Sequence, residues 1–233
     1  MNPTMSFNGF PKQTVSFLNG LKKNNTKEWF NHHRQEYEDH LMAPARAFVE
    51  AMGERLKTIS PGIISVPKVN KSLFRINRDT RFSPDKSPYK TNLGILFWEG
   101  KGPRMECSGY YFHLEPPNLM LGLGLYMFSK DFMERYRQAV VAPESGSELT
   151  SIVKGIERIE GFSLGGKHYK RIPFGFDADH PNAELLLHNG LYAGGETEIP
   201  KELYSKDLLD FCIEKYRPLS ALHDWLVVLT EKT

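Results

Sequence analysis

Apolar positions along the first third of the chain recur at helical spacing. Pro11 suits the opening of a helix, and Val15, Leu18 and Leu21 repeat every three residues until Asn24 and Asn25. Asn25 with Glu28 three residues on matches a capping box and predicts a second helix carrying Trp29, Phe30, Tyr37 and Leu41. Pro44 kinks that helix or starts a third segment striped by Phe48, Met52 and Leu56, and Pro61-Gly62 closes the helical region. The period then falls to two. Strands are predicted over Val69–Ile76, over Leu93–Trp98, over Cys107–Leu114 and over Leu119–Met127. In the last, Leu119, Leu121, Leu123, Leu125 and Met127 share a face opposite Met120, Gly122, Gly124 and Tyr126. Packing of a helix on that opposite face is the expected reason for its glycines.

The connections around Gly102-Pro103 and Pro116-Pro117 are too short for crossover helices, so neighbouring strands should run antiparallel as a meander. Helical spacing returns at Lys130–Val140 and near Glu148–Arg158. Gly161–Phe176 reads as irregular, and Asp179-His180-Pro181-Asn182 as a helix entry before Leu185–Leu187. Leu191–Ile199 reads as another strand, and Asp207–Leu229 as helix with a break at Pro218. Helices, then strands, then helices predict an α+β fold: an antiparallel sheet packed against N-terminal and C-terminal helices. No long linker or repeat interrupts the 233 residues, so a single domain over 1–233 is expected.

Composition adds bounds rather than an identity. With 40% hydrophobic and 25% charged residues the chain has globular proportions, which excludes disorder as its dominant state. The net charge of +2 excludes a uniformly basic coat for nucleic acid. Two cysteines, Cys107 and Cys212, are too few for a disulfide framework and fit a reducing compartment. The start of the chain lacks a basic stretch followed by an apolar one, and the ten residues of Leu119–Phe128 are too few to span a bilayer. A soluble, cytoplasmic protein without a membrane partner is expected.

The charge is concentrated in one place. Lys68–Lys90 holds seven basic residues (Lys68, Lys71, Arg75, Arg78, Arg81, Lys86, Lys90) against Asp79 and Asp85, a local +5, so the other 210 residues carry −3. Local positive charge attracts anions while the whole molecule stays nearly neutral. Arg75, Arg78 and Arg81 repeat every three residues, which suits guanidinium forks around a phosphate or carboxylate. The tandem Ser83-Pro84-Asp85-Lys86 and Ser87-Pro88-Tyr89-Lys90 predicts two successive type I turns with Lys86 and Lys90 at equivalent places. A second cluster, Lys167, His168, Lys170 and Arg171, is the natural partner by charge type. The candidate anion-binding residues are therefore Arg75, Arg78, Arg81, Lys86, Lys90, Lys170 and Arg171. A structural ion-pair network explains the same composition. DNA contact through this loop is not expected, because Asp85 and Tyr89 stand where further cations would help.

Three segments together resemble an uncharacterised family catalogued as domain of unknown function two-four-six-one: RINRDTRFSPDKSPYK, FPKQTVSFLNGLKKNNTKEWF and KRIPFGFDADHPNAELLLHNGLYA. The resemblance covers roughly residues 7–228. It implies a single α+β domain in cytoplasmic proteins, with no activity, cofactor or catalytic residue to carry over.

Other constellations are weaker. Asp177, Asp179 and His180, with His188, offer metal donors but no zinc spacing, and Asp179 reads equally as a helix cap, so no metal is expected. Asp79, Asp85 and Asp177 are acids to test as a base or ligand, and His168 and His180 as proton carriers. His32, Glu36 and His40 lie four apart on one predicted helix, where surface histidines are commoner than ligands. No Walker loop, dinucleotide fingerprint, nucleophile elbow or HExxH pair is present. Binding of a phosphorylated or otherwise anionic small ligand, with or without phosphoryl or carboxyl chemistry, is the leading expectation. The alternative is a non-catalytic interaction module docking through Tyr110, Tyr111, Phe97 and Trp98.

Overall fold

The computed structural model describes residues 6–231. In chain order its helices begin with α1 (Lys12–Lys23) and α2 (Lys27–His32), then a single turn α3 (Arg34–Glu36), a π-helical stretch Tyr37–Met42, and α4 (Ala43–Leu56). Pro11 stands just ahead of α1 in extended geometry, and Phe17, Leu18 and Leu21 form its buried stripe. The cap of α2 is Thr26, not Asn25: the Thr26 hydroxyl accepts from the Trp29 amide at 3.1 Å. The break at His33 and the π turn also undo the four-residue spacing of His32, Glu36 and His40. Pro44 falls just past the π stretch, which runs directly into α4, and the His40 carbonyl that its missing N–H leaves open accepts from the Thr14 hydroxyl.

Strand β1 (Leu93–Trp98) is buried along its whole length. It is followed by β2 (Gly109–Glu115) and β3 (Asn118–Leu125), joined through a cis Pro116–Pro117 peptide. Two helices, α5 (Lys130–Val141) and α6 (Pro143–Ile156), come next, then β4 (Ser163–Lys167), β5 (His188–Glu198), α7 (Leu208–Tyr216) and α8 (Ser220–Glu231). A turn of 3-10 helix at Arg217–Leu219 makes the break predicted at Pro218. The five strands form one antiparallel sheet in the order β1-β2-β3-β5-β4. The fold is α+β, as the pattern predicts, and the meander holds for β1, β2 and β3. Among the described residues no helix is long and apolar enough to cross a membrane.

Four local expectations need correction. Val69–Ile76 is not a strand: it makes isolated bridges, Val69 to Leu73 and Leu73 to Ile95, because its amides are used mainly within its own loop. Inside the glycine-rich stretch, Ser163–Lys167 does form a strand, antiparallel to β5 with a register shift between Gly165 and Lys167. Strand β3 stops at Leu125 and leaves Met127 exposed. Gly124 has φ +133°, and a side chain there would overlap the backbone of Leu191 and Tyr192 on β5. A neighbouring strand, rather than a helix, sets that requirement.

Packing divides the chain into two compact units. The first holds the described residues through Phe97, with Tyr111–Leu121 and Glu196–Glu214. Its centre is Phe48, with no exposed surface, which meets Phe112 at 4.8 Å, Phe7 at 5.2 Å and Phe97 at 6.3 Å between ring centroids. Such edge and tilted contacts add to the burial of the rings themselves. The second unit holds Trp98–Tyr110, Gly122–Gly195 and the described residues from Lys215. Tyr136 centres it, tilted against Phe128 (4.6 Å) and edge-on to Trp225 (6.0 Å), with its hydroxyl donating to the Leu185 carbonyl at 2.9 Å. In that unit His223 is also fully buried. Its Nδ1 lies 3.0 Å from Ser108 Oγ and its Nε2 3.1 Å from Glu99 Oε2, so each ring nitrogen has a partner.

Candidate functional site

The basic segment lies wholly in the first unit. It leaves the rim of β1, where Leu96 N–H donates to the Ser72 carbonyl (2.9 Å) and Phe74 N–H to the Gly94 carbonyl (3.1 Å). Beyond that it doubles back on itself. Asn77 bridges Tyr89 in antiparallel fashion, Arg78 N–H donates to the Pro88 carbonyl (2.9 Å), and Lys90 N–H to the Ile76 carbonyl (2.7 Å). The result is a closed loop over residues 78–88 on a two-stranded base.

That base is clamped by Asn25, just ahead of α2, and by Phe30 within it. The Asn25 side chain donates to the Tyr89 carbonyl at 2.9 Å and accepts from the Tyr89 amide at 3.1 Å, and the Tyr89 ring stacks on Phe30 at 4.2 Å. Asn25, predicted as a helix cap, is thus the anchor of the basic loop. The two predicted type I turns do not form as hydrogen-bonded turns. Instead Asp85 Oδ1 accepts from the Ser87 amide at 2.9 Å, and the two lysines part company. Lys86 Nζ donates to the Thr80 carbonyl (2.8 Å), while Lys90 Nζ lies over the Phe74 ring at 5.4 Å.

Several cations of the loop already meet acids. Arg81 forks onto Asp79, with Nε to Oδ1 at 3.0 Å and Nη2 to Oδ2 at 2.7 Å, and Arg78 pairs with Asp85. Hydrogen bonds from Arg81, side chain first and then backbone, hold the Asp79 carboxyl well below its usual range, with the charge of Arg75 adding to the effect. The Ser87 hydrogen bonds, and then Arg78, lower Asp85 likewise. These pairs sit in water: the Arg81 and Asp79 side chains are 76% and 42% exposed. Arg75 is exposed and forms no ion pair among the described residues. At the loop tip Phe82 is 93% exposed beside the Arg81 guanidinium.

Lys170 and Arg171 belong to the second unit, where both are exposed. Lys167 pairs with Glu184, and Arg137 lies over the Tyr169 ring at 5.3 Å. Asp177, His180 and His188 there are occupied in local turns. Asp177 Oδ1 accepts from the Asp179 amide (2.9 Å), His180 Nδ1 accepts from the Asn182 amide (3.0 Å), and His188 is buried, which lowers its pKa. Among the described residues no group of three or more His, Cys, Asp or Glu side chains is placed to hold a metal. Phe97, Tyr110 and Trp98 are buried, so of the four aromatics assigned to a docking surface only Tyr111 keeps partial exposure.

A second polar group adjoins the basic segment. Along β2, Tyr110, Phe112 and Leu114 are buried while Tyr111, His113 and Glu115 point to the opposite face. His113 Nδ1 lies 2.9 Å from the Tyr111 hydroxyl and 3.4 Å from Asn92 Nδ2, and its Nε2 lies 3.4 Å from Glu115 Oε2. Thr91 fixes the other Glu115 oxygen at 2.9 Å. Burial, and then the charge of Glu115, raise the Tyr111 phenol to about 12. Thr91 and Asn92 directly follow Lys90, and Phe74, under the Lys90 ammonium, packs edge-on to Tyr111 at 5.9 Å. The alternation of Tyr111, His113 and Glu115 was visible in the sequence; their partners across the strand were not.

The chain belongs to the family described as "Conserved hypothetical protein (DUF2461)", whose family model matches residues 13–225. No curated protein matches the chain.

Proposed function

We propose that this member of the family binds a phosphorylated or otherwise anionic small ligand through Arg75, Arg78, Arg81, Lys86 and Lys90; Lys170 and Arg171, in the second unit, are candidate anion contacts of their own. The observation that carries the reading is the clamped loop: inside the Lys68–Lys90 segment, which has an excess of five positive charges, residues 78–88 close into a loop bearing Arg78, Arg81 and Lys86, and its base is held by Asn25 and Phe30. Cations on a held loop lose less freedom on capturing an anion than cations on a loose one. The internal pairs with Asp79 and Asp85 do not oppose this strongly, because exposed ion pairs contribute little and exchange readily for a multivalent anion. Two free, buried cysteines agree with a reducing, cytoplasmic setting. A single domain belongs to the same reading, since β2, β3 and β5 each run through both units.

The test is a thermal-shift panel of inorganic phosphate, sugar phosphates, nucleotides and dicarboxylates at low and high salt. A melting temperature raised by one class, with the gain shrinking as salt rises, supports the reading. Arg78→Glu with Arg81→Glu should remove the gain while the protein still melts cooperatively. If that double variant does not fold, the ion pairs are structural and the reading falls. A silent panel together with a co-purifying protein favours the interaction module instead.

A further inference from the structure

Of the chain's fifteen phenylalanines two are exposed, Phe82 and Phe174. Phe82 stands at the tip of the basic loop, 93% exposed, with the Arg81 guanidinium 5.7 Å from its ring centroid. The acids of that loop, Asp79 and Asp85, are engaged by Arg81 and Arg78. The charge in excess of those pairs includes Lys86, whose ammonium donates to the neutral Thr80 carbonyl, and the exposed Lys68, Lys71 and Arg75. Between Lys68 and Lys71 the chain turns at Asn70, φ +62°, and leaves Val69 39% exposed. A lone exposed apolar residue is ordinary. Two within one strongly cationic segment match a partner that is apolar and negative together. A ring so open at a loop tip is convex, which suits a flat surface better than an enclosed small molecule. Phe174 keeps different company: residues 167–180 hold Lys167, Lys170 and Arg171 against Asp177 and Asp179, and Lys167 is paired with Glu184.

We propose that the basic loop docks on the surface of an anionic phospholipid bilayer, with Phe82 entering among the headgroups while Arg75, Arg81 and Lys86 take their phosphates. The inference rests on the anion-binding reading above and names the source of its anion, a lipid headgroup held in a surface rather than a phosphate free in solution. A bilayer offers negative charge over apolar depth, the two properties that the loop tip presents in complement. The clamp of Asn25 and Phe30 on the loop base holds the tip ready, so little order is lost on docking. The pair of Arg81 with Asp79 is exposed, and its guanidinium exchanges readily towards phosphate. No helix among the described residues is long and apolar enough to cross a membrane, and a surface contact of this kind needs none.

The experiment is flotation of the full chain with vesicles of phosphatidylcholine alone and of phosphatidylcholine with about one third phosphatidylglycerol, at low and at physiological salt. The chain should float with the anionic vesicles, less so as salt rises, and stay behind with the neutral ones. Phe82→Ala should bind the anionic vesicles roughly tenfold more weakly, the effect of withdrawing about half of a phenylalanine's apolar surface from the headgroup layer. Its melting temperature should not move, because the ring is open to solvent. Arg75→Gln, also exposed, should bind about fivefold more weakly. Phe174→Ala removes an equally open ring from the second unit and should bind as the wild-type chain does. Binding unchanged in Phe82→Ala, or weakened as much in Phe174→Ala, overturns this inference. Absence of vesicle binding by a chain whose melting temperature small anions do raise overturns it as well, and leaves free phosphate as the ligand. Silence towards vesicles and small anions alike overturns the anion-binding reading, and this inference with it.

Discussion

Replacing Asn25 with Ala should release the basic loop without touching any of its charges. The side chain makes two hydrogen bonds, both to the main chain of Tyr89, a residue that is itself buried. Truncation leaves a carbonyl and an amide unpaired where water does not reach freely. At about 1 kcal/mol net for each bond, the local cost is about 2 kcal/mol. That equals roughly a 30-fold rise in opening of the segment. If the loss is felt by the whole fold, the melting temperature should drop by roughly 4–8 °C for a chain of this size. Hydrogen exchange separates the two cases. The amides of Arg78, Tyr89 and Lys90 are bonded to Pro88, Asn25 and Ile76 respectively, so they report directly on the base of the loop. All three should lose protection together in the variant, by the factor above. Asn25→Asp keeps the acceptor for the Tyr89 amide but loses the donor to its carbonyl, and should fall between the two. If the three amides exchange as in the wild-type chain and the unfolding midpoint stays put, Asn25 is not the clamp and the loop is held by something else.

Two further outcomes are expected. Burial raises the phenols of Tyr37 and Tyr111 from 10.0 to about 12, so between those values the folded chain keeps protons that the unfolded chain has lost. Their contribution to stability is complete below about pH 10 and declines as pH rises towards 12; urea midpoints measured across that window should fall less steeply in Tyr111→Phe than in the wild-type chain. In the second unit, His223→Ala leaves the buried Ser108 hydroxyl and the Glu99 carboxylate without their partner and opens a cavity, which should cost about 3 kcal/mol in chemical denaturation. A loss under about 1 kcal/mol would mean that water replaces the imidazole there.

Helices and strands with strong apolar patterns were legible because at least one face of each is buried: α1, β1, β2, β3, β5 and the pair α7 and α8 follow their apolar residues. Strand β4 was not, because its residues are half-buried or exposed and it is held by main-chain pairing to β5, which leaves no alternation to read. Val69–Ile76 erred the other way, since its β-like residues satisfy their backbone within a loop. The Asn25 error has a related cause. Asn25 fits the capping-box spacing with Glu28, but the cap is Thr26, and the Asn25 side chain is bonded to Tyr89, 64 residues further on. The cations of the candidate site were legible as composition, and their pairing with Asp79 and Asp85 stood as an open alternative. The His113 group was hidden for want of register: only the alignment of β1 with β2 brings Thr91 and Asn92 to Glu115 and His113.

The way the sheet ends bears on how the protein behaves when crowded. On one rim Ser72 and Phe74 occupy main-chain groups of β1, and on the other β4 is short, interrupted by its register shift, and finished by Lys167 paired with Glu184. Neither border offers the long flat ladder that a second copy needs to add a strand. The segment that carries the cations therefore also covers the β1 border, and variants that loosen it should be checked for fibrils as well as for lost binding.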